Sequence, residues 1–163
     1  MSTVKQLYGN NNQAIACTLT SLANAGGANG AGRSSVAIDN TVNLFLDALV
    51  QVKIKTSASA LANDKAVYVY AYGTSDGGTD YTDGITSADA AFTATNPPNL
   101  RLIGVINAVA VSTPYVGGPW SVAAAFGGVL PDHWGIFVVN FTGQALDAAV
   151  GSAWYQGVQA TVA

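Results

Sequence analysis

His133 is the single histidine of the chain, and Asp132 precedes it directly. An imidazole beside a carboxylate is the acid–base half of a Ser-His-Asp hydrolase, and serines are plentiful here. Adjacency in sequence says little about triad geometry, however, and Pro131-Asp132 reads as a turn leading into a strand. His133 is therefore expected to be structural, with no nucleophile elbow serving it. A second histidine or a cysteine pair that could complete a zinc site is absent from the sequence.

Asp76, Asp80, Asp83 and Asp89 cluster in a segment bent by Gly77, Gly78 and Gly84. Carboxylates on a flexible loop are what a hard cation such as calcium requires. Their spacing does not match the helix-flanked calcium loop, which needs acids at alternate positions and a terminal Glu. A solvated loop, with Asp76, Asp80 and Asp83 touching a protein partner, is the expectation. Gly26 to Arg33 is glycine-rich but lacks the Lys-Ser/Thr ending of a phosphate loop and joins two strand candidates. No metal, nucleotide or other cofactor is expected.

Tyr68, Tyr70 and Tyr72 share one face of a strand, with Tyr81 near in sequence. Three readings are open for that face. It packs under a second sheet, it anchors a protein partner, or it stacks on sugar rings. Lone Cys17 cannot form an intrachain disulfide and reads as a small buried apolar residue.

The elements that must position these groups are strands. From Leu44 to Lys55 the chain alternates, with Leu44, Leu46, Ala48, Val50, Val52 and Ile54 on one face. Successive strand side chains point to opposite faces, so this set is expected in the core. Lys65 to Thr74 alternates likewise, with Val67, Val69 and Ala71 opposite the tyrosines. Further strands are expected over 14–22, 34–38, 100–111, 120–126, 136–141 and 154–162. Gly- and Pro-rich turns separate them. Only 57–63 and 142–150 are expected to hold a helical turn. About eight strands without a substantial helix predict an all-β, antiparallel two-sheet sandwich, most simply a jelly roll. The expected organisation is an N-terminal arm over 1–12, in which Tyr8, Asn10, Asn11 and Asn12 meet a partner, and one domain over 13–163.

Charge is sparse. Six basic and nine acidic side chains, none of them Glu, make up 9% of the residues, while half are apolar. Soluble domains draw about a quarter of their residues from charged types. Charge keeps free monomers dispersed, so this chain is expected to keep surface against other protein. No stretch approaches the roughly 18 apolar residues of a spanning helix, no signal peptide is visible at the N-terminus, and the outward faces lack aromatic girdles. Membrane residence is not expected. Nor is nucleic-acid binding, because basic residues are few.

Three stretches carry a resemblance. They are Ser35-Val36-Ala37-Ile38-Asp39-Asn40-Thr41 running into Leu44-Phe45-Leu46-Asp47-Ala48-Leu49-Val50, then Trp134-Gly135-Ile136-Phe137-Val138-Val139-Asn140-Phe141-Thr142-Gly143, and Tyr155-Gln156-Gly157-Val158. Together they resemble tailed-bacteriophage virion proteins with a β-sandwich body, of the head-decoration (cement) or accessory kind. The resemblance implies a non-enzymatic role, made in the host cytoplasm and located in the virion. The implied partners are the major capsid protein or another virion protein, together with copies of itself as a homo-oligomer such as a trimer. A tail or neck accessory protein, or a carbohydrate- or receptor-binding virion module, is the alternative. It carries over no catalytic residue.

Overall fold

Along Asp47–Thr56 burial alternates residue by residue, and Ala48, Val50, Val52 and Ile54 are fully enclosed. This period of two is the signature of a sheet with one face in the core. The computed structural model describes residues 3–25, 31–62, 64–94 and 98–162. Eleven strands run through them: β1 Val4–Tyr8, β2 Gln13–Ile15, β3 Ala31–Ser34, β4 Ile38–Asp39, β5 Asp47–Thr56, β6 Ala66–Thr74, β7 Ala90–Thr93, β8 Arg101–Asn107, β9 Pro114–Ser121, β10 His133–Phe141 and β11 Leu146–Val162. A short helix, α1 Val122–Ala125, follows β9, and Thr82–Gly84 is a 3-10 turn.

The strands form two antiparallel sheets, as expected. One has the order β1-β11-β5-β9, with β2 also on β11. The other has the order β7-β3-β10-β6-β8, with β4 also on β10. The main core holds Val50, Val52 and Ile54 from the first sheet and Val67, Val69, Ile136 and Val138 from the second. Trp134 stands edge-on to Tyr155 across the layers, ring centroids 5.2 Å apart. Trp120 closes the β8/β9 side, because its indole lies where a Cβ at Gly104 or Gly117 would sit.

The centre of the second sheet is buried on both faces. Residues 134–140 of β10 are all enclosed, matching their nearly continuous apolar run. A second apolar cluster, Tyr72, Ile85, Leu100, Phe137 and Val139, lies on its outer side. The connection from 75 to 100 supplies Ile85 and Leu100, and β7 pairs with β3 at its edge. In its described residues, 75–94 and 98–100, that connection is thus a packed cover and not a free loop.

Several boundaries differ from expectation. Leu44 and Leu46, assigned to the core face, are 70% and 58% exposed. The strand starts at Asp47, and Leu44 has φ +51°, a left-handed bend ahead of the sheet. Residues 146–150, expected in a helical turn, open β11, whose register against β5 shifts between Leu146 and Gly151. The expected strand over 120–126 ends at Ser121. There the Ser121 hydroxyl accepts from the Ala124 N–H and caps α1. Of 14–22 only Ala14 and Ile15 pair as strand, in β2, and 34–38 divides between β3 and β4. The proposed arm contains β1, which pairs with the end of β11 from Val4↔Val162 to Tyr8↔Val158.

Candidate interaction surfaces

The tyrosine face of β6 is the outer face of the second sheet. Tyr72 is fully buried, and its hydroxyl donates to the Ser35 carbonyl at 2.6 Å. It meets Tyr81 edge-on at 5.6 Å, and burial pushes its hydroxyl pKa up. Tyr72 is therefore withdrawn from any partner surface, because the 75–100 cover reaches it. Tyr70, half-buried, tilts against Phe137, and Tyr68 stands edge-on to Phe141 at 5.4 Å with its hydroxyl 3.4 Å from Asp64. The three do not form an open aromatic stripe.

The acidic side chains of the cover hold its turns. The Asp76 carboxylate accepts the Thr74 hydroxyl at 2.6 Å and the N–H groups of Thr79 and Asp80 at 2.9 Å. The Thr74 bond leads in holding the Asp76 carboxyl below its ordinary range. Asp83 accepts from the backbone and side-chain amides of Asn99, at 2.9 and 2.6 Å. Asp80 is exposed at the rim. Asp89 turns inward to Arg33 and Thr18. Among the described residues no three His, Cys or acidic side chains converge as a metal site. Residues 26–30 of the glycine-rich segment lie outside the described residues, and Ala31–Ser34 of it form β3.

His133 opens β10 opposite Thr74. Its Nε2 lies 3.7 Å from Asp39 and its Nδ1 3.5 Å from Asp132, so each ring nitrogen faces a carboxylate. Asp132 also accepts the Gly77 N–H at 3.2 Å. Here one sequence expectation needs correction: Gly73-Thr74-Ser75-Asp76-Gly77 does fit the Gly-x-Ser-x-Gly elbow pattern. The strand register brings that motif beside His133. The elbow works on a strand-to-helix turn, whereas β6 here runs into bends and Ser75 is exposed with no helix behind it. The His133 Nδ1 has no hydrogen-bond partner among the described residues. Cys17 is buried, and desolvation, with Asp89 adding to it, pushes its thiol up to about 12. Among the described residues no helix is long and apolar enough to cross a membrane.

One apolar surface escaped the sequence reading. Beyond Val158, β11 leaves β5 behind and runs on with β1 alone as a two-stranded ribbon. The ribbon exposes Val4, Leu7, Tyr8 and Val162, at 71%, 44%, 53% and 69%. Leu46 donates its N–H to the Val158 carbonyl at 2.7 Å, which brings the 41–46 segment to the ribbon's base. That segment exposes Leu44, Leu46 and, at 82%, Val42. Phe45 points the other way, packing where a Cβ on Gly157 would lie. Tyr8 thus stands in an apolar end of the molecule. Asn10, Asn11 and Asn12 form the exposed turn after it, and Asn12 has φ +54°. No family model, no curated protein and no solved structure matches this chain.

Proposed function

We propose that this chain is a non-enzymatic structural protein of a bacteriophage virion, seated on the capsid surface as a decoration subunit that stabilises the shell. The observation that carries the reading is the apolar end built by β1, the tip of β11 and residues 42–46. Exposed apolar side chains gathered at one end of a molecule are candidates for an interaction surface. On a chain with 9% charged residues, little electrostatic repulsion opposes lodging that end against other protein. Binding that buries it would also stabilise the fold by mass action.

The strand order supports the finer architecture. With β1, β4 and β7 set aside as edge additions, the sheets read β2-β11-β5-β9 and β3-β10-β6-β8. That interleaving suits a jelly roll, an arrangement that recurs in viral capsid and lectin domains. The fold alone assigns no function.

The test is co-sedimentation of the purified chain with capsids, together with copy number per particle. Decoration predicts many copies and binding weakened by Leu44→Lys. A copy number matching a tail or neck ring moves the assignment there. Absence from particles, with no binding to capsids, removes the virion reading.

A further inference from the structure

Trp154 sits mid-strand on β11, on the face of the first sheet turned away from the core. Its neighbours Ala153 and Tyr155 point inward and are buried, so Ser152, Trp154 and Gln156 point outward. The register sets Gln51 and Ala14 on either side of Trp154, and Leu49 beside Gln156. Two depressions flank the half-buried indole and share Asn12. One, of about 260 Å³, lies among Asn11, Leu49, Gln51, Pro119, Trp154 and Gln156. The other, of about 400 Å³, reaches past Ala14 to Ser152 and Lys53.

The amides around the ring are held in known orientations. An indole N–H can only donate, so the Trp154 Nε1 bond at 3.2 Å fixes the oxygen of Gln51 toward the ring. The Gln51 NH₂ is then the end presented outward. A backbone carbonyl can only accept, so the Gly9 oxygen, 3.1 Å away, fixes the NH₂ of Gln156. That NH₂ also donates to the Asn11 side-chain oxygen. The carbonyl of Gln156 and the NH₂ of Asn11 are therefore the ends left over. Around one aromatic ring this leaves two donors and one acceptor, borne on strands and an adjoining turn. Among the described residues no acid lines either depression, and Lys53 is the one charged side chain at their edge.

We propose that this trough binds a neutral oligosaccharide, with Trp154 stacked against a sugar ring. Adjacent hydroxyls, each donor and acceptor at once, match the alternating amide ends of Gln51, Gln156 and Asn11. The indole supplies an apolar platform with a polar tip. Depressions on both sides of the ring suit consecutive sugar units. With Lys53 alone at its edge, the trough is matched to an uncharged ligand and is short of the basic lining that a nucleic-acid strand needs. This site lies on the other sheet from the tyrosine face of β6.

The test uses the isolated full chain, so its failure leaves the virion reading standing. A glycan array carrying neutral, sialylated and uronic-acid oligosaccharides is probed first. Tryptophan fluorescence is then titrated with the strongest neutral glycan. Binding is expected, with a loss of about tenfold or more for Trp154→Ala and for Gln51→Leu. Gln51→Leu keeps the strand and serves if Trp154→Ala fails to fold. Tyr68→Ala, on the opposite sheet, is expected to bind normally. An array on which no neutral glycan binds, or neutral binding that survives Gln51→Leu, overturns the proposal. So does a preference for acidic glycans that disappears in Lys53→Ala.

Discussion

Asp89 grips Arg33 at two points. The guanidinium Nε donates to the Asp89 carboxylate, and Nη2 donates to the Asp89 backbone carbonyl at 2.8 Å. The same carboxylate accepts the Thr18 N–H at 2.9 Å and the Thr18 hydroxyl at 2.6 Å. One side chain therefore ties the long cover to β3 and to the stretch leading out of β2.

Removing that tie has a pH signature. Partial burial pushes the Asp89 carboxyl up, but the bonds from Arg33 and Thr18 outweigh it and hold it below its ordinary range. A carboxyl depressed in the folded state adds stability above its unfolded value, and that stability is lost as pH falls through the folded value. Asp89→Asn is expected to destabilise by about 1–3 kcal/mol at neutral pH. In urea melts, the gap to wild type should close as pH drops below about 4. A gap that stayed constant down to acid pH would contradict the assignment.

Tyr72 and Gly135 test the closure of the outer cluster. Tyr72→Phe leaves the Ser35 carbonyl without its hydroxyl donor and should lower stability by about 1 kcal/mol. Gly135→Ala would place a methyl against the Tyr72 ring. Overpacking of that kind should lower stability by about 1–3 kcal/mol. Thermal melts that place Gly135→Ala at or above wild type would show the ring free to move.

Ile54 and Leu44 belong to the same alternating run but have opposite fates. Ile54→Ala is expected to destabilise by about 2–5 kcal/mol, as deletions from full cores do. Leu44→Ala should change stability by no more than about 0.5 kcal/mol. Denaturant melts of the two variants decide it, and equal losses would return Leu44 to the core.

Leu44→Lys and Val162→Lys address the apolar end. Both positions are solvent-facing, so the melting temperature should hold while self-association and capsid binding fall. Analytical ultracentrifugation and co-sedimentation read the two effects separately. Unchanged binding in the double variant would move the contact elsewhere on the surface.

Cys17 offers a probe of opening. A buried thiol with pKa about 12 is a poor nucleophile at neutral pH. Labelling by a disulfide reagent should track unfolding in denaturant, and fast labelling of the native chain would show local opening around 13–22.

The two-sheet fold was legible where one face of a strand is polar. The alternation through Val50, Val52 and Ile54, and through Val67, Val69 and Ala71, placed those side chains inside. Alternation carries a period but not the extent of the opposing sheet, so Leu44 and Leu46 were carried into the core with the rest. It also said that Tyr68, Tyr70 and Tyr72 share a face without saying what covers it. The cover comes from Ile85 and Leu100, outside the local window. Residues 146–150 read as a turn because the strand is irregular there, with Asp147 bonding the N–H groups of Ala149 and Val150. The apolar end is assembled from segments near residues 4, 44 and 162, and the Trp154 trough from β2, β5, β9 and β11. Neither has a local pattern to find. Ser75 and its flanking glycines were a local pattern that went unread, and the bends after β6 explain why it builds no elbow.

The strand order has a consequence for synthesis. β10 lies between β3 and β6, and β11 lies between β2 and β5, so the two latest strands are interior to both sheets. While the ribosome is still making residues 133–162, β3, β5 and β6 each present an unpaired edge. Such edges are templates for pairing with another chain, and pairings this distant in sequence form slowly. A nascent chain stalled before Leu146 would carry the interior faces of both layers with no strand to join them. Aggregation in the cell is therefore set by the time taken to make and release residues 133–162, during which a chaperone able to mask β-edges would have its largest effect.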